Sequence, residues 1–232
     1  MSVIRFDHVV KRFDGVAVLN GLDFAVEKGE ILAVMGPSGT GKSVTLKHVV
    51  GLLEPDEGTV EVAPGTRIGY LFQGGALLAW KTVAENVALP LEETTDLSED
   101  EIARRTREAL EAVDLVEAAD KYQSEISGGM VKRAGLARVL VRDADVILYD
   151  EPTSGLDPVT AVMIHRLIVR LSRERGITSV MVTHDLNGAL KVADRILLLK
   201  DGRSTVCLKP EEFLNSPDGD VKAFLSAMKG EI

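Results

Sequence analysis

Gly36-Pro37-Ser38-Gly39-Thr40-Gly41-Lys42-Ser43 follows a run of apolar residues, Ile31-Leu32-Ala33-Val34-Met35. A continuous apolar run of this kind marks a strand buried on both faces. The residues after it fit the pattern G-x-x-x-x-G-K-S, a glycine-rich loop joining a buried strand to a helix. The spacing predicts that helix from Ser43 to about Leu53, closed by the turn Glu54-Pro55-Asp56-Glu57-Gly58. These residue types suit a triphosphate, which packs several negative charges into little space. Glycines let successive backbone N–H groups turn inward with no Cβ in the way. The helix start adds its positive dipole end. Lys42 offers a mobile cation to the β- and γ-phosphates, and Ser43 offers a hydroxyl to Mg2+. The competing pattern, the G-x-G-x-x-G turn of a dinucleotide fold, needs a third glycine. Here Gly39-Thr40-Gly41 is followed by Lys42-Ser43-Val44.

Further along, Asp145-Val146-Ile147-Leu148-Tyr149-Asp150-Glu151 is an apolar run ending in two acids. In open parallel sheets, ligands gather at the carboxyl ends of strands. Asp150 is therefore a candidate to hold Mg2+ through water, and Glu151 to orient and polarise an attacking water. A pair of acids in a solvated turn is the common alternative. The need of Mg2+–ATP for a carboxylate opposite Ser43 favours the functional reading. Thr183-His184-Asp185 ends another apolar run, expected as a strand over Thr178 to Thr183. A lone histidine is more often structural. At this strand end His184 becomes a candidate partner for the γ-phosphate and the attacking water.

The chain has 232 residues, enough for one large domain or one domain with an insert. At 45% hydrophobic and 27% charged, it can bury a full core. Its 36 acidic against 27 basic side chains give −9, which excludes a general basic footprint for nucleic acid. The longest stretch without charge, Ile68 to Trp80, has 13 residues; a spanning helix needs about 20. Met1 to Asp7 lacks the apolar core of a secretory signal. Cys207 is the only cysteine, so an intramolecular disulfide is excluded and a reducing compartment is expected. It reads as a small buried residue. His8, His48, His165 and His184 lie far apart with no ligand-like neighbour, so no Cys/His metal cluster is expected.

The first 30 residues alternate apolar and polar, with Asp14-Gly15 as a tight turn between antiparallel strands. The texture changes near residue 92. Ser98 and Glu101 form the pattern of a capping box. Ile102, Ala109, Leu110, Val113 and Val116 recur at helical spacing. Another helix is expected from Gly129 to about Val141. Residues 88–142 thus read as a helical insert between α/β parts at 1–87 and 143–208. A helix over Val159 to Arg175, a hairpin over Arg195 to Cys207 turning at Asp201-Gly202, and a tail of short helices at 209–232 complete the chain. Arg104, Arg105 and Arg107 read as a solvated face, with a lipid-headgroup role as the remote alternative. Trp80 leaves two readings open: a socket for a membrane partner, or packing inside the domain.

Taken in order, these residues resemble the ABC-type ATPase subunits. The deciding motif is Ser127-Gly128-Gly129-Met130, after Ile126 and before Val131-Lys132-Arg133. It resembles the LSGGQ signature of that superfamily, departing at Ile126 and Met130. Gln73 resembles the Q-loop residue, and Ser154-Gly155-Leu156-Asp157 the D-loop. Phe13 resembles the aromatic that stacks on adenine, with Val18 beside it. The resemblance implies an α/β fold: a P-loop NTPase (RecA-like) core with an N-terminal antiparallel β subdomain and an inserted α-helical subdomain. It implies ATP and Mg2+ as cofactors. Phe13, Val18, Gly36 through Val44, Gln73 and His184 would surround the nucleotide. Ser43, Gln73 and Asp150 would serve the metal, and Lys42, Glu151 and His184 the chemistry. Ser127 with its two glycines opens a helix, which makes a second anion-binding cap. The family closes that cap, with Asp157, onto the nucleotide of a second copy paired head to tail. Two copies of an integral membrane permease are the further partners it implies.

A narrower resemblance rests on short segments. Phe72-Gln73-Gly74-Gly75-Ala76-Leu77-Leu78, Met130, and Ser216-Pro217-Asp218 with Val221 to Leu225 are similar to the Mla/Mce group. That group implies phospholipid or related lipid as cargo, a Mce-type lipid-binding protein as partner, and a peripheral place on the cytoplasmic side of the bacterial inner membrane. Three rivals stand beside it: an ABC ATPase for amino acids, metals or drugs, a soluble ABC ATPase without a permease, and an ATP-dependent kinase. The kinase leaves Ser127-Gly128-Gly129 unexplained.

Overall fold

In the computed structural model, which describes residues 2–229, two long strands open the chain. β1 (Ser2–Phe13) and β2 (Val16–Glu27) pair antiparallel. Asp14 and Gly15 between them both take left-handed backbone angles, the turn whose twist suits a two-residue hairpin. β4 (Glu57–Val62) pairs with the other edge of β1 and completes a three-stranded sheet. Only a turn is expected there, because β4 is mostly exposed and carries little apolar signal. Its entry is fixed by Asp56, whose carboxylate accepts from Lys11 Nζ at 2.9 Å and from the Arg12 N–H at 2.6 Å.

The second sheet holds six strands: β3 (Ile31–Met35), β5 (Ile68–Leu71), β6 (Val146–Asp150), β7 (Thr178–Val182), β8 (Arg195–Lys200) and β9 (Arg203–Leu208). Their spatial order is β5-β6-β7-β3-β8-β9, parallel except for β9. Alternation along each strand divides the core in two. Ile31, Ala33, Met35, Ile147 and Tyr149 face one apolar cluster, built mainly with helices. Leu32, Val34, Val146 and Leu148 face the other, together with Leu46 and the strands β1 and β2. Each fully buried Val, Leu, Ile or Met among them contributes about 1.5–3 kcal/mol.

Among the described residues, eight α-helices cover this frame: α1 (Lys42–Val49), α2 (Val83–Thr94), α3 (Glu99–Ala112), α4 (Gly128–Leu140), α5 (Pro158–Arg175), α6 (Leu186–Val192), α7 (Pro210–Leu214) and α8 (Gly219–Lys229). α1 stops short of Leu53, because Gly51 adopts a left-handed φ of 69° just past its end. The helical stretch begins at Val83 rather than at residue 88. Its start is set by a reciprocal capping box: Thr82 Oγ1 accepts from the Glu85 N–H at 3.2 Å, and the Glu85 carboxylate accepts from the Thr82 N–H at 2.6 Å. The box expected at Ser98 is half formed. Ser98 Oγ accepts from the Glu101 N–H, but the Glu101 carboxylate turns to Arg104 and Arg105. The tail is helical where described; its residues 230–232 lie outside the described residues.

The fold carries three loops to one end of the sheet. β3 runs into the glycine-rich loop, β6 into Asp150-Glu151 and β7 into Thr183-His184. Since β7 lies between β3 and β6, His184 emerges between the loop and the acids.

Candidate functional site

Two glycines of the loop, Gly36 and Gly41, are sterically required. A Cβ on Gly36 would sit 2.1 Å from the Leu199 carbonyl oxygen, and one on Gly41 would sit 2.7 Å from Leu19 Cδ2. Both also hold left-handed φ angles, 153° and 95°. Lys42 is buried, and its Nζ donates to the carbonyls of Gly36 and Pro37 at 2.8 Å each. Thr40 Oγ1 ties the loop at the Pro37 carbonyl, 2.9 Å away. Thr82, Ser98, Ser127 and Asp157 cap the starts of α2, α3, α4 and α5 with their side chains, but Gly41 leaves the start of α1 uncapped. The first-turn N–H groups of α1 therefore remain available to an anion. Burial pulls the Lys42 ammonium below its ordinary pKa, while the carboxylates of Glu151 and Asp150 oppose that shift.

Ser43 and Asp150 meet as their residue types require. Ser43 Oγ donates to Asp150 Oδ1 at 2.9 Å, and the Tyr70 hydroxyl donates to Oδ2 at 2.8 Å. Burial first, and then Asp150, raise the Tyr70 pKa well above its ordinary value. A hydroxyl beside a carboxylate is the all-oxygen donor set that a hard divalent cation takes, so these residues fit Mg2+. Gln73 lines the same cleft, but its amide Nε2 donates to Ser154 Oγ at 3.2 Å and is not gathered with the other two.

Glu151 stands at the end of β6 with φ at 49°, a left-handed angle uncommon outside glycine. Its side chain is 10% exposed. Oε2 accepts from the His184 N–H at 3.3 Å. His184 Nε2 lies 2.9 Å from Oε1, within ion-pair range, yet Oε1 has no aligned hydrogen-bond donor. Burial pushes the Glu151 carboxyl above the usual carboxylate range, against the pull of His184 and Lys42. Glu151 and His184 line the loop cleft of about 290 Å³ together with Lys42, Ser43, Val44 and Val18. They also line a neighbouring cleft of about 550 Å³ with Ser154, Leu156 and Asp185.

The other expected residues lie elsewhere. Phe13 is 41% exposed at the end of β1, with Lys11 Nζ 5.9 Å from its ring centre, and does not line the loop cleft. Ser127 caps α4, its Oγ accepting from the Met130 N–H at 3.3 Å. Gly128 and Gly129 pack on Leu156 and Thr160, and Asp157 caps α5 through the N–H groups of Val159 and Thr160. None of these four lines the loop cleft. Trp80 is 73% exposed, which removes the interior reading. Cys207 is half-buried on β9 rather than enclosed. His8 does have ligand-like neighbours: its Nδ1 lies 2.8 Å from Asp7 and 3.0 Å from Asp23, because the β1–β2 pairing brings Asp23 across. Arg104, Arg105 and Arg107 sit in surface ion pairs with Glu101, Glu108, Asp143 and Glu111. Three residues escaped the sequence. Tyr70 touches Asp150 from the neighbouring strand. Lys132 and Arg138, on α4, bind backbone carbonyls of residues 73–76. Their one signal was a cation at the buried side of a helix.

An open, mostly parallel sheet with a phosphate loop at one end and an acid pair one strand removed defines a nucleotide-binding P-loop protein. Its sequence matches the family described as ABC transporter over residues 19–154. The chain belongs to the ABC transporter family. It is 39% identical to the intermembrane phospholipid transport system ATP-binding protein MlaF of Haemophilus influenzae, over 95% of this chain and 88% of that protein. It is 38% identical to the methionine import ATP-binding protein MetN of Bordetella avium, over 90% of this chain but 62% of that longer protein. Among solved structures, the dimeric, post-hydrolysis ATP-binding cassette MJ0796 bound to ADP and Pi matches with a TM-score of 0.79. It is 32% identical, with 89% of this chain and 98% of that one covered. The α/β architecture is that of these cassettes. Among the described residues, no helix is long and apolar enough to cross a membrane.

Proposed function

We propose that this chain binds and hydrolyses ATP to drive a membrane transporter. The observation that carries the proposal is the buried Glu151 Oε1, which has no aligned hydrogen-bond donor and lies in one cleft with Lys42, Ser43 and His184. Lys42 and the open start of α1 bind the phosphates. Ser43 and Asp150 hold Mg2+, which supplies charge neutralisation at the phosphates. Glu151 accepts the proton of the attacking water, and His184 keeps that carboxylate oriented. Phe13 and Val18 would take the adenine side, and Gln73, here bonded to Ser154, would serve the metal.

Each chain contributes two half-sites. Ser127, Gly128, Gly129 and Asp157 lie outside their own cleft, which supports their use by a second copy paired head to tail. The functional division follows the three expected segments, with the helical one opening at Val83 instead of 88. The exposed Trp80 beside residues 73–78 is the contact for two copies of an integral permease, on the cytoplasmic side of a bacterial inner membrane.

The cargo is phospholipid or a related lipid, handed on by a Mce-type protein. The segment Phe72 to Leu78, Met130 and the long coverage of the phospholipid-transport relative support this. Methionine or another small solute is the second reading, favoured by the methionine import relative at 38% identity. Purification of the native complex in mild detergent, followed by mass spectrometry, tests both. The lipid reading expects an integral permease, a Mce-type protein and bound phospholipid. A small-solute-binding partner without lipid supports the second reading, and a complex lacking any membrane protein overturns both.

A further inference from the structure

The most buried cation outside the phosphate loop is Lys132, on the second turn of α4 and 6% exposed. It has no direct carboxylate partner. Its Nζ donates to two backbone carbonyls, that of Gln73 and, at 3.2 Å, that of Glu151. Burial draws its pKa down, while the carboxylates of Glu151 and Asp150 oppose that shift.

The second of those carbonyls belongs to Glu151, one of several non-glycine residues with a left-handed backbone. A φ of 49° at a glutamate costs free energy and persists only where neighbours over-determine it. The neighbours are few. The Glu151 N–H donates to the Val182 carbonyl at 3.0 Å, and the Glu151 carbonyl accepts from the Ser154 N–H at 3.2 Å and from Lys132. Lys132 is the one side chain among them. The same helix grips the loop after β5 a second time, where Arg138 donates to the carbonyls of Gly75 and Ala76 at 2.9 and 2.7 Å. Two cations of α4 thus hold the carbonyls of residues 73, 75 and 76, and one of them also holds residue 151.

We infer that Lys132 is a positioning residue, whose ammonium fixes the Glu151 carbonyl against that of Gln73 and so aims the Glu151 carboxylate at His184 and the phosphate loop. The inference rests on the reading of Glu151 as the proton acceptor. A buried charge-assisted donor suits this task, because one ammonium joins two carbonyls from segments far apart in sequence. Lys132 touches no reacting atom. Its loss misplaces Glu151 without altering the groups that hold the phosphates.

The test compares ATP turnover by the full chain carrying Lys132→Met, Lys132→Gln, Lys132→Arg or Glu151→Gln, with equilibrium ATP binding measured alongside. Lys132→Met is expected to lower kcat roughly ten- to hundredfold, the scale of a displaced catalytic group. KM and ATP affinity are expected to change by less than about threefold. Lys132→Arg, which keeps charge and donor, recovers most of the turnover. Lys132→Gln, a donor without charge, falls between and decides the matter if the methionine variant does not fold. With Glu151→Gln inactive, wild-type kcat in folded Lys132→Met or Lys132→Gln overturns the inference alone. Equal losses of kcat and ATP affinity with no recovery in Lys132→Arg also overturn it, in favour of a purely structural role. Full turnover in Glu151→Gln removes the underlying reading, and the inference with it.

Discussion

His184 Nε2 stands 2.9 Å from Glu151 Oε1 across the ends of two neighbouring strands, β7 and β6. The second carboxylate oxygen is held by the His184 backbone N–H, so one residue contacts both oxygens. Oε1, contacted but without an aligned hydrogen-bond donor, is the oxygen that the proposed mechanism uses to take a proton.

Glu151→Gln preserves shape and removes that capacity. Turnover of ATP should drop by at least about a hundredfold, the lower range for losing a general base. ATP affinity should stay close to wild type, because Lys42 and the start of α1 are untouched. Phosphate release and nucleotide binding measured on the same preparation check both halves. A variant hydrolysing at the normal rate removes Glu151 from the chemistry.

The raised pKa of Glu151 gives activity and stability opposite dependences on pH. Below its raised pKa the carboxyl is protonated and cannot accept a proton, so kcat/KM should fall with a midpoint above the ordinary glutamate value of 4.5. The folded state binds this proton more readily than the unfolded state does. Its contribution to stability therefore grows as pH falls through the window between the raised and the ordinary pKa. Melting curves without nucleotide or Mg2+ should show this gain in the wild type and not in Glu151→Gln. An acid limb at or below the ordinary value contradicts the burial argument.

Thr82 tests the helical stretch independently of the site. Thr82→Ala breaks the reciprocal box with Glu85 at the head of α2. It should cost about 1 kcal/mol of stability by denaturant titration. ATP affinity should not change, since Thr82 lines neither cleft near Glu151.

The chemistry of the cleft was legible because it lies in contiguous runs. Ile31 to Ser43, Asp145 to Glu151 and Thr178 to Asp185 each announce a strand, its end and the polar group there. Parallel strands buried on both faces give unbroken apolar runs, and these set β3, β6 and β7 in plain view. β4 stayed hidden because an exposed edge strand has no such run. The half-formed box at Ser98 shows another limit. Glu101 had Arg104 and Arg105 within one helical turn, and those charges outcompeted the backbone N–H. Burial holds the Glu101 pKa to no low value; its arginines do, taking it down to about 2. Tyr70, Lys132 and Arg138 act across elements distant in sequence, and no local pattern encodes such pairings. The separation of Ser127 and Asp157 from the loop cleft was implied by the family resemblance, not by any local pattern.

That separation calls for a site shared between two chains, which the rate of ATP turnover per chain as a function of protein concentration reads out. If Ser127, Gly128 and Gly129 complete the cleft of a second copy, the rate per chain rises with concentration toward a plateau. Ser127→Arg should then stay near the dilute-limit rate at every concentration while still binding ATP. A rate per chain that is full and constant down to dilutions where sedimentation finds only single chains contradicts it.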